Sequence, residues 1–271
     1  MFFPSIVTLK GGLGNQLFQY AFGKWLEKEH NQKVYFDARG LSNAISPRQF
    51  ELYFFRLFEY DQDKFIFQSK GLPKIFPKIA ATYYSRTSQI ISEASFDFSD
   101  PKPASYFGFW QRNLFVNSII NFNPSLFRFK PEIVQNWPAI ISSDVESVGI
   151  HVRGTDYLNH PSLVNLSKAY FEKAISLLSE SLQNPSFYVF TDDPTYSKEV
   201  LSGLSYNIVS TKSGIQDFYH LSQCKHQIIS NSTFSWWAAT INNNPGKLVV
   251  SPVKWFKNQG HQLENKKWIN I

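Results

Sequence analysis

From residue 148 onward, short apolar runs alternate with amphipathic helical stretches, and no other feature restricts the possible folds of this chain as much. The runs lie at 148–152, 187–191, 206–209, 226–230 and 247–251. They are compact apolar-rich blocks, as expected for strands buried on both faces, where connecting helices cover the sheet above and below. The stretches 166–182, 195–203, 215–224 and 234–241 carry helical spacing between them. The second half therefore reads as a doubly wound domain built on a parallel sheet.

Ligands of such domains collect outside the carboxyl ends of the strands, so the residues that follow each apolar run are the candidates for chemistry. The first run leads into His151, Arg153 and Asp156. An arginine there offers a fixed charge and a fork of donors suited to phosphate. A structural ion pair at a strand end explains it equally well. A later run leads into Ser230, Asn231, Ser232 and Thr233, then an aromatic helical segment that starts at Phe234. Hydroxyl and amide residues cap helix starts, and a helix start offers unbonded N–H groups to an anion. Ordinary capping is the alternative for this motif alone. An arginine and a helix start of this kind in the same half suit a diphosphate.

The chain opens with a βαβ pattern. A strand is expected at 6–10, a turn at Gly11, Gly12 and Gly14, a helix at 16–28 and a second strand at 34–36. The turn is not the dinucleotide fingerprint, because the third glycine is missing from its place. Residues 40–105 lack sustained periodicity and are expected to form irregular helices and loops. Asp61-Gln62-Asp63 has the form of a metal-holding DxD, but it follows FFRLFEY and reads as an exposed acidic loop. A strand is expected at 105–110 and a helix at 117–126. Pro131 and Pro138 punctuate the passage to the second half, which places the domains at 1–135 and 136–271.

Five segments resemble, in order, the α-1,2-fucosyltransferases of glycosyltransferase family 11: GGLGNQLFQYAFG (11–23), GFWQ (108–111), HVRGTDY (151–157), FTDD (190–193) and DFYHLSQCKHQIISNSTFSWWAA (217–239). One departure stands out: the family usually has two adjacent arginines (HxRRxD), whereas Gly154 follows Arg153 here. The resemblance implies an α/β fold of GT-B type, two Rossmann-like domains facing across a cleft, with the acceptor on the N-terminal side and GDP-fucose on the C-terminal side. It also implies inverting transfer of L-fucose from GDP-β-L-fucose to the 2-hydroxyl of a terminal galactose. Gly14 and Asn15 would then face the transferred sugar, and His151 would lie near the base or the phosphates. Arg153 with Ser232, Thr233 and local backbone N–H groups would form the diphosphate cradle, and Asn231 and Phe234 would be among the donor contacts. Asp217 resembles the acidic residue that reads the guanine edge; a dipole-favoured aspartate at a helix start is the plainer account. Asp192 and Asp193 either bound the nucleotide pocket or cap the helix at 195. Trp110 and Gln111 are expected near the acceptor.

Inversion requires the acceptor hydroxyl to lose a proton. Asp156 is the first candidate base, unless it is the partner of Arg153. His160 is the second, unless it is an ordinary loop residue. A dissociative transition state requires neither. No cofactor beyond the donor is expected and no metal, since positive charge on Arg153 can meet the departing diphosphate and the six histidines form no HxH or HExxH pattern.

Composition narrows the setting. The net charge of +6 fits an anionic donor or an anionic membrane surface. Nucleic acid is not expected, because no arginine-rich arm, zinc spacing or RNA-binding aromatic signature occurs. Cys224 is the single cysteine, so no intramolecular disulfide can form. No apolar run approaches the roughly 20 residues of a membrane span. The expected setting is the bacterial cytoplasm, with peripheral association at the inner face of the membrane as a variant. Lysines among Phe, Ile and Pro at 64–78 could lie against lipid or form a solvated loop. The expected partners are GDP-fucose and a galactose-terminated oligosaccharide or lipid-linked glycan. Two other functions compete: transfer with another linkage or another GDP-sugar, and a non-enzymatic carbohydrate-binding module. The module would not need Arg153, Asp217 and a phosphate cradle together.

Overall fold

The computed structural model describes residues 4–41, 48–67, 89–142, 145–155, 157–158, 160–211, 213–258, 260–261 and 263–271. The chain divides into two compact units, Met1–Pro131 and Glu132–Ile271.

In the first unit, β1 (Ser5–Thr8), α1 (Leu13–His30) and β2 (Val34–Asp37) form the expected βαβ opening. Three short strands complete the sheet: β3 (Phe65–Ile66), β4 (Ile90–Ser92) and β5 (Ser105–Phe107). The order is β3-β2-β1-β5-β4 and every pairing is parallel. Helix α1 begins ahead of the expected position because Gly11, at φ 76°, already turns the chain and Gly12 is the N-cap. It ends where Asn31 takes the left-handed conformation and its N–H returns to the Leu26 carbonyl. Much of the aromatic surplus fills this unit's core. Phe22 stacks on Trp110 at 3.9 Å between ring centroids, and Phe96 and Tyr106 meet Phe22 edge-on.

Two expectations for this unit need correction. The helix expected at 117–126 is α3 (Asn113–Phe122), which stops before Pro124 opens a separate 3-10 turn. Asp61 is not in an exposed loop. It ends the short helix α2 (Arg56–Asp61) and is 5% exposed. Its carboxylate accepts from the Tyr20 hydroxyl at 2.6 Å and pairs with Lys24 at 3.0 Å and Lys64 at 2.8 Å. Burial pushes its carboxyl up, but the two lysines and the tyrosine together bring it below the ordinary carboxylate range. Asp63 is exposed. The apolar residues of FFRLFEY sink this stretch into the core and carry Asp61 with them, which residue spacing alone did not reveal.

The second unit follows the expected alternation. Its strands are β6 (Ser147–Val152), β7 (Ser186–Thr191), β8 (Asn207–Val209), β9 (His226–Ile228), β10 (Val249–Ser251) and β11 (Ile269–Asn270). Its helices are α4 (Lys168–Ser181), α5 (Pro194–Val200), α6 (Gly214–Gln223) and α7 (Thr233–Ile241). The strand order is β11-β10-β9-β6-β7-β8, again all parallel. Val148, Ile150 and Val152 of β6 pack with Phe171, Ala174 and Leu178 of α4 in its core.

The second sheet reverses its winding direction once. From β6 the chain winds outward through β7 and β8, then returns to the other side of β6 with β9. In the first unit it winds from β1 through β2 to β3, crosses to the far edge at β4, and only then places β5 beside β1; α1 and α3, the helices that follow β1 and β5, pack on each other. The reversal in the second unit opens a crevice beyond the carboxyl ends of β6 and β9, the usual ligand position in open α/β sheets. The crevice to inspect first is therefore the one at β6/β9. Among the described residues, no helix is long and apolar enough to cross a membrane. Most of the lysine-bearing stretch at 64–78 lies outside the described residues.

Candidate active site

The crevice at β6/β9 gathers most of the second-unit residues singled out from the sequence. His151, the penultimate residue of β6, is 4% exposed, and its Nδ1 lies 2.7 Å from the Ser230 hydroxyl beyond β9. Its ring stacks on Phe234 in the first turn of α7 at 5.2 Å and 29°. Phe234 in turn meets Phe218 of α6 at 5.1 Å, nearly perpendicular. This stack joins the end of β6 to the first turn of α7 and to α6. Burial, and then the charge of Arg153, lower the His151 pKa to about 3, although Asp192 opposes the shift. His151 is therefore neutral at physiological pH and works as a fixed hydrogen-bonding ring.

That depression gives a pH dependence with a definite sign. Between the ordinary value of 6.5 and about 3, the unfolded chain binds a proton at His151 that the folded chain does not. Stability from this group is complete above pH 6.5. It falls on acidification by up to roughly 1.4 kcal/mol per pH unit. Thermal unfolding should show a lower Tm at pH 5 than at pH 7, and the difference should shrink in His151→Gln.

Arg153 follows β6, and its guanidinium pairs with Asp192 at 2.6 Å and lies over the Tyr157 ring at 5.2 Å. Asp192, just beyond β7, also accepts from the Gly154 N–H at 2.9 Å and the Thr155 hydroxyl at 2.7 Å. One carboxylate thus fixes three consecutive residues of the β6 loop. The sequence reading offered Asp156 as the alternative partner of Arg153; Asp192 holds the arginine here, and Asp156 lies outside the described residues. Asp193 is the N-cap of α5, accepting from the Tyr196 N–H at 3.0 Å. A Cβ placed on Gly154 would come within 2.4 Å of the Asp193 Cβ, so the turn after β7 leaves no room for a side chain there.

The helix start at α7 divides its residues between two tasks. Ser232 is the N-cap and accepts from the Phe234 N–H at 3.3 Å. Thr233 is the first residue of α7 and half-buried, and a helix start of this kind offers its remaining first-turn N–H groups to an anion. Asn231 instead spends its amide nitrogen on the carbonyls of Val164 and Trp255 at 2.9 and 3.0 Å and is 3% exposed. Through that nitrogen it fastens two loops to each other. Asp217 sits in the first turn of α6, beside Phe218, and its Oδ1 lies 2.7 Å from the Thr211 hydroxyl. Burial raises its pKa while the Thr211 contacts oppose that. His160 is exposed, and its Nδ1 accepts from the Ser162 N–H at 3.2 Å, as in a loop turn. The sequence reading did not list Ser230 as a site residue; the signal for it was its place directly after an apolar strand.

In the first unit, Gln111 donates to the Asn15 side chain at 2.9 Å beside the glycine turn. Gly14 is buried in the first turn of α1, so almost none of it faces solvent. Trp110 is corrected. At φ 57° its side chain swings into the core, where it has no exposed surface and cannot meet a sugar. Among the described residues, no group of three or more His, Cys, Asp or Glu is placed to share a metal ion.

Comparison with known proteins places this geometry. The chain is 28% identical to an Escherichia coli protein named "Alpha-1,2-colitosyltransferase", over 98% of both chains. It is 32% identical to the rat "Galactoside alpha-(1,2)-fucosyltransferase 2" over 101 residues, which is 34% of this chain and 28% of the rat protein. Among solved structures it is similar to Arabidopsis thaliana FUT1, as the R284K mutant in complex with GDP, with a TM-score of 0.50 and 12% identity. That superposition covers 94% of this chain and 72% of the plant chain, and the shared architecture is the α/β build of the GT-B class. The family model described as "Glycosyl transferase family 11" matches residues 104–271. That match takes in more than half of the chain and the whole second unit with its arginine, histidine and helix-start crevice, and the protein is a member of glycosyl transferase family 11.

Proposed function

We propose that the protein transfers a 6-deoxyhexose, L-fucose or its 3-deoxy counterpart colitose, from a GDP-linked donor to the 2-hydroxyl of a terminal galactose. The transfer inverts the anomeric centre and needs no metal. The observation that carries this reading is Arg153, held by Asp192 at the β6/β9 crevice beside the start of α7. In such a transfer, positive charge develops on the sugar and negative charge on the departing diphosphate. Groups aimed at the developing negative charge lower the barrier, provided they are fixed beforehand. Arg153, the Thr233 hydroxyl and the α7 first-turn N–H groups supply that charge and those donors. Neutral His151, anchored by Ser230, adds a hydrogen-bonding ring with no proton to exchange near neutrality.

Two donors are carried because two relatives name different sugars. The fucosyl name belongs to a relative aligned over about a third of this chain. The colitosyl name belongs to one aligned over nearly all of it. The two sugars differ at C3, so a direct competition separates them. GDP-fucose and GDP-colitose would be offered together with lactose and EDTA, and the product linkage mapped. An α-1,2-linked product on galactose in the presence of EDTA is the expected result. No transfer from either donor across a galactoside panel, or transfer restored only by Mn²⁺ or Mg²⁺, would overturn the reading. The setting proposed is the bacterial cytoplasm, where GDP-sugars are made, with the inner face of the membrane as the site of any lipid-linked acceptor.

Asp217 is the proposed reader of guanine. A carboxylate can accept from both N1–H and the amino group of guanine, and adenine offers no such pair. Asp217→Ala should weaken GDP binding and blur the preference for GDP over ADP. Asp217→Asn should keep the Thr211 contact yet still lose guanine preference. Calorimetry with both nucleotides decides: unchanged GDP affinity in either variant would leave Asp217 as a residue of the helix start only.

A further inference from the structure

At the carboxyl ends of β1 and β5 in the first unit, two exposed aromatic rings and an ammonium come together. Phe107 ends β5 and is 48% exposed, and Phe109 is 41% exposed. Lys10, two residues past β1, holds its ammonium 3.8 Å from the Phe107 centroid and 4.4 Å from that of Phe109. The Gln111 side chain, two residues past Phe109, donates to the Asn15 side chain, five residues past Lys10.

This loop is built. The buried Gln19 side chain accepts from the Lys10 N–H and donates to the Gly108 carbonyl, both at 3.0 Å, and so ties the ends of β1 and β5 together. The Glu93 carboxylate accepts from the N–H groups of Phe109 and Trp110 at 3.1 and 2.9 Å. Trp110, at φ 57°, anchors the far end by stacking on Phe22 in the core. Fixing Trp110 inward leaves Phe109 turned outward. Two phenylalanines exposed on a rigidly held loop gain nothing for the core, and a pair of aromatic faces beside polar groups is a typical binding surface.

We propose that Phe107, Phe109 and Lys10 form the acceptor platform, on which the apolar face of a neutral pyranose stacks while the Asn15 and Gln111 amides meet its hydroxyls. A neutral sugar suits this surface better than a phosphate. The Lys10 ammonium is already over two rings, and the Glu93 carboxylate is bound to the loop backbone. The amides offer both donors and acceptors, which matches hydroxyl groups. The inference rests on the proposed glycosyl transfer for the identity of the sugar, and it replaces Trp110 as the aromatic contact with its two exposed neighbours.

The test uses the full chain with Phe107→Ala, Phe109→Ala, the double variant, and Phe109→Tyr. The expected result is a rise in acceptor KM of about 10-fold per ring removed, since aromatic contacts of this kind contribute on the order of a decade in affinity. GDP binding by calorimetry should be unchanged, and Phe109→Tyr should restore most of the loss. Binding of methyl β-galactoside, followed by ligand-observed NMR without donor, reads the platform separately from the reaction. If wild type transfers no sugar but binds the galactoside and the double variant does not, the platform stands and the transfer reading falls. If wild type transfers to galactose and the double variant keeps its acceptor KM within twofold, the platform is wrong. It is equally wrong if the variants lose binding to anionic phospholipid vesicles while acceptor KM is unchanged, since the rings would then be a membrane contact.

Discussion

Replacing Arg153 by alanine is expected to lower turnover roughly 100- to 1,000-fold, the usual consequence of losing one preorganised donor to developing charge, about 2.7–4 kcal/mol. The fold should persist. Arg153 and Asp192 are 20% and 26% exposed at their side chains, so the abandoned carboxylate remains in contact with solvent and keeps Gly154 and Thr155 as donors. Arg153→Lys should recover little, because an ammonium keeps the charge but cannot contact Asp192 and a phosphate through separate arms of one planar fork. Turnover and Tm measured on both variants decide the matter. A folded Arg153→Ala with near-normal turnover would remove Arg153 from the mechanism, and a collapse of Tm with activity per folded molecule intact would make it a structural residue.

Gly154→Ala is the second large effect, and it arises from a different cause. The added Cβ would lie 2.4 Å from the Asp193 Cβ and 2.9 Å from its Oδ2. Asp193 cannot easily give way while it caps α5. The turn must shift, and Asp192 is the adjacent residue, so the contact that fixes Arg153 shifts with it. Overpacking of this kind typically costs about 1–3 kcal/mol, and turnover should fall along with Tm. Installing the arginine usual in the family, Gly154→Arg, should be worse and add no activity. The physical cause can be isolated. All three closest atoms belong to the Asp193 side chain. Asp193→Gly removes them while costing the cap only a few tenths of a kcal/mol. Gly154→Ala combined with Asp193→Gly should therefore recover turnover relative to Gly154→Ala alone. If the double variant is no better, the close approach at Asp193 is not the reason for glycine at this position.

The second unit was legible in the sequence because its central strands β6, β9 and β10 are buried on both faces. Burial on both faces forces continuous apolar runs, and β6 through β10 were found from those runs with ends shifted by a few residues. The first unit was less legible. Strands β3 and β4 contain two and three residues, too few for periodicity to register. Asp61 was read by its neighbours in sequence as exposed, whereas its environment is set by Tyr20, Lys24 and Lys64. Trp110 and Phe109 show the same limit at single-residue scale. The motif GFWQ marked the right loop, but which aromatic side chain faces inward depends on the φ angle of Trp110, held from outside the motif by Glu93.

By itself, then, the sequence determined the class of fold in the second half, the order of its elements, and the candidate ligand residues following each strand. These are properties of local periodicity and of chain direction, since a side chain after a parallel strand must emerge at the carboxyl edge of the sheet. Tertiary structure alone decided the partnerships: Arg153 with Asp192, His151 with Ser230 and Phe234, and Asp217 with Thr211. The first two join the ends of neighbouring strands that are far apart in the chain, and only the order β9-β6-β7 brings them within hydrogen-bonding distance. Even the glycine that departs from the family pattern is explained across strands, because the residue that excludes a side chain at 154 is Asp193 at the end of the adjacent strand. Hydrogen bonds and steric exclusion act over a few ångströms, so they are set by which strand ends become neighbours.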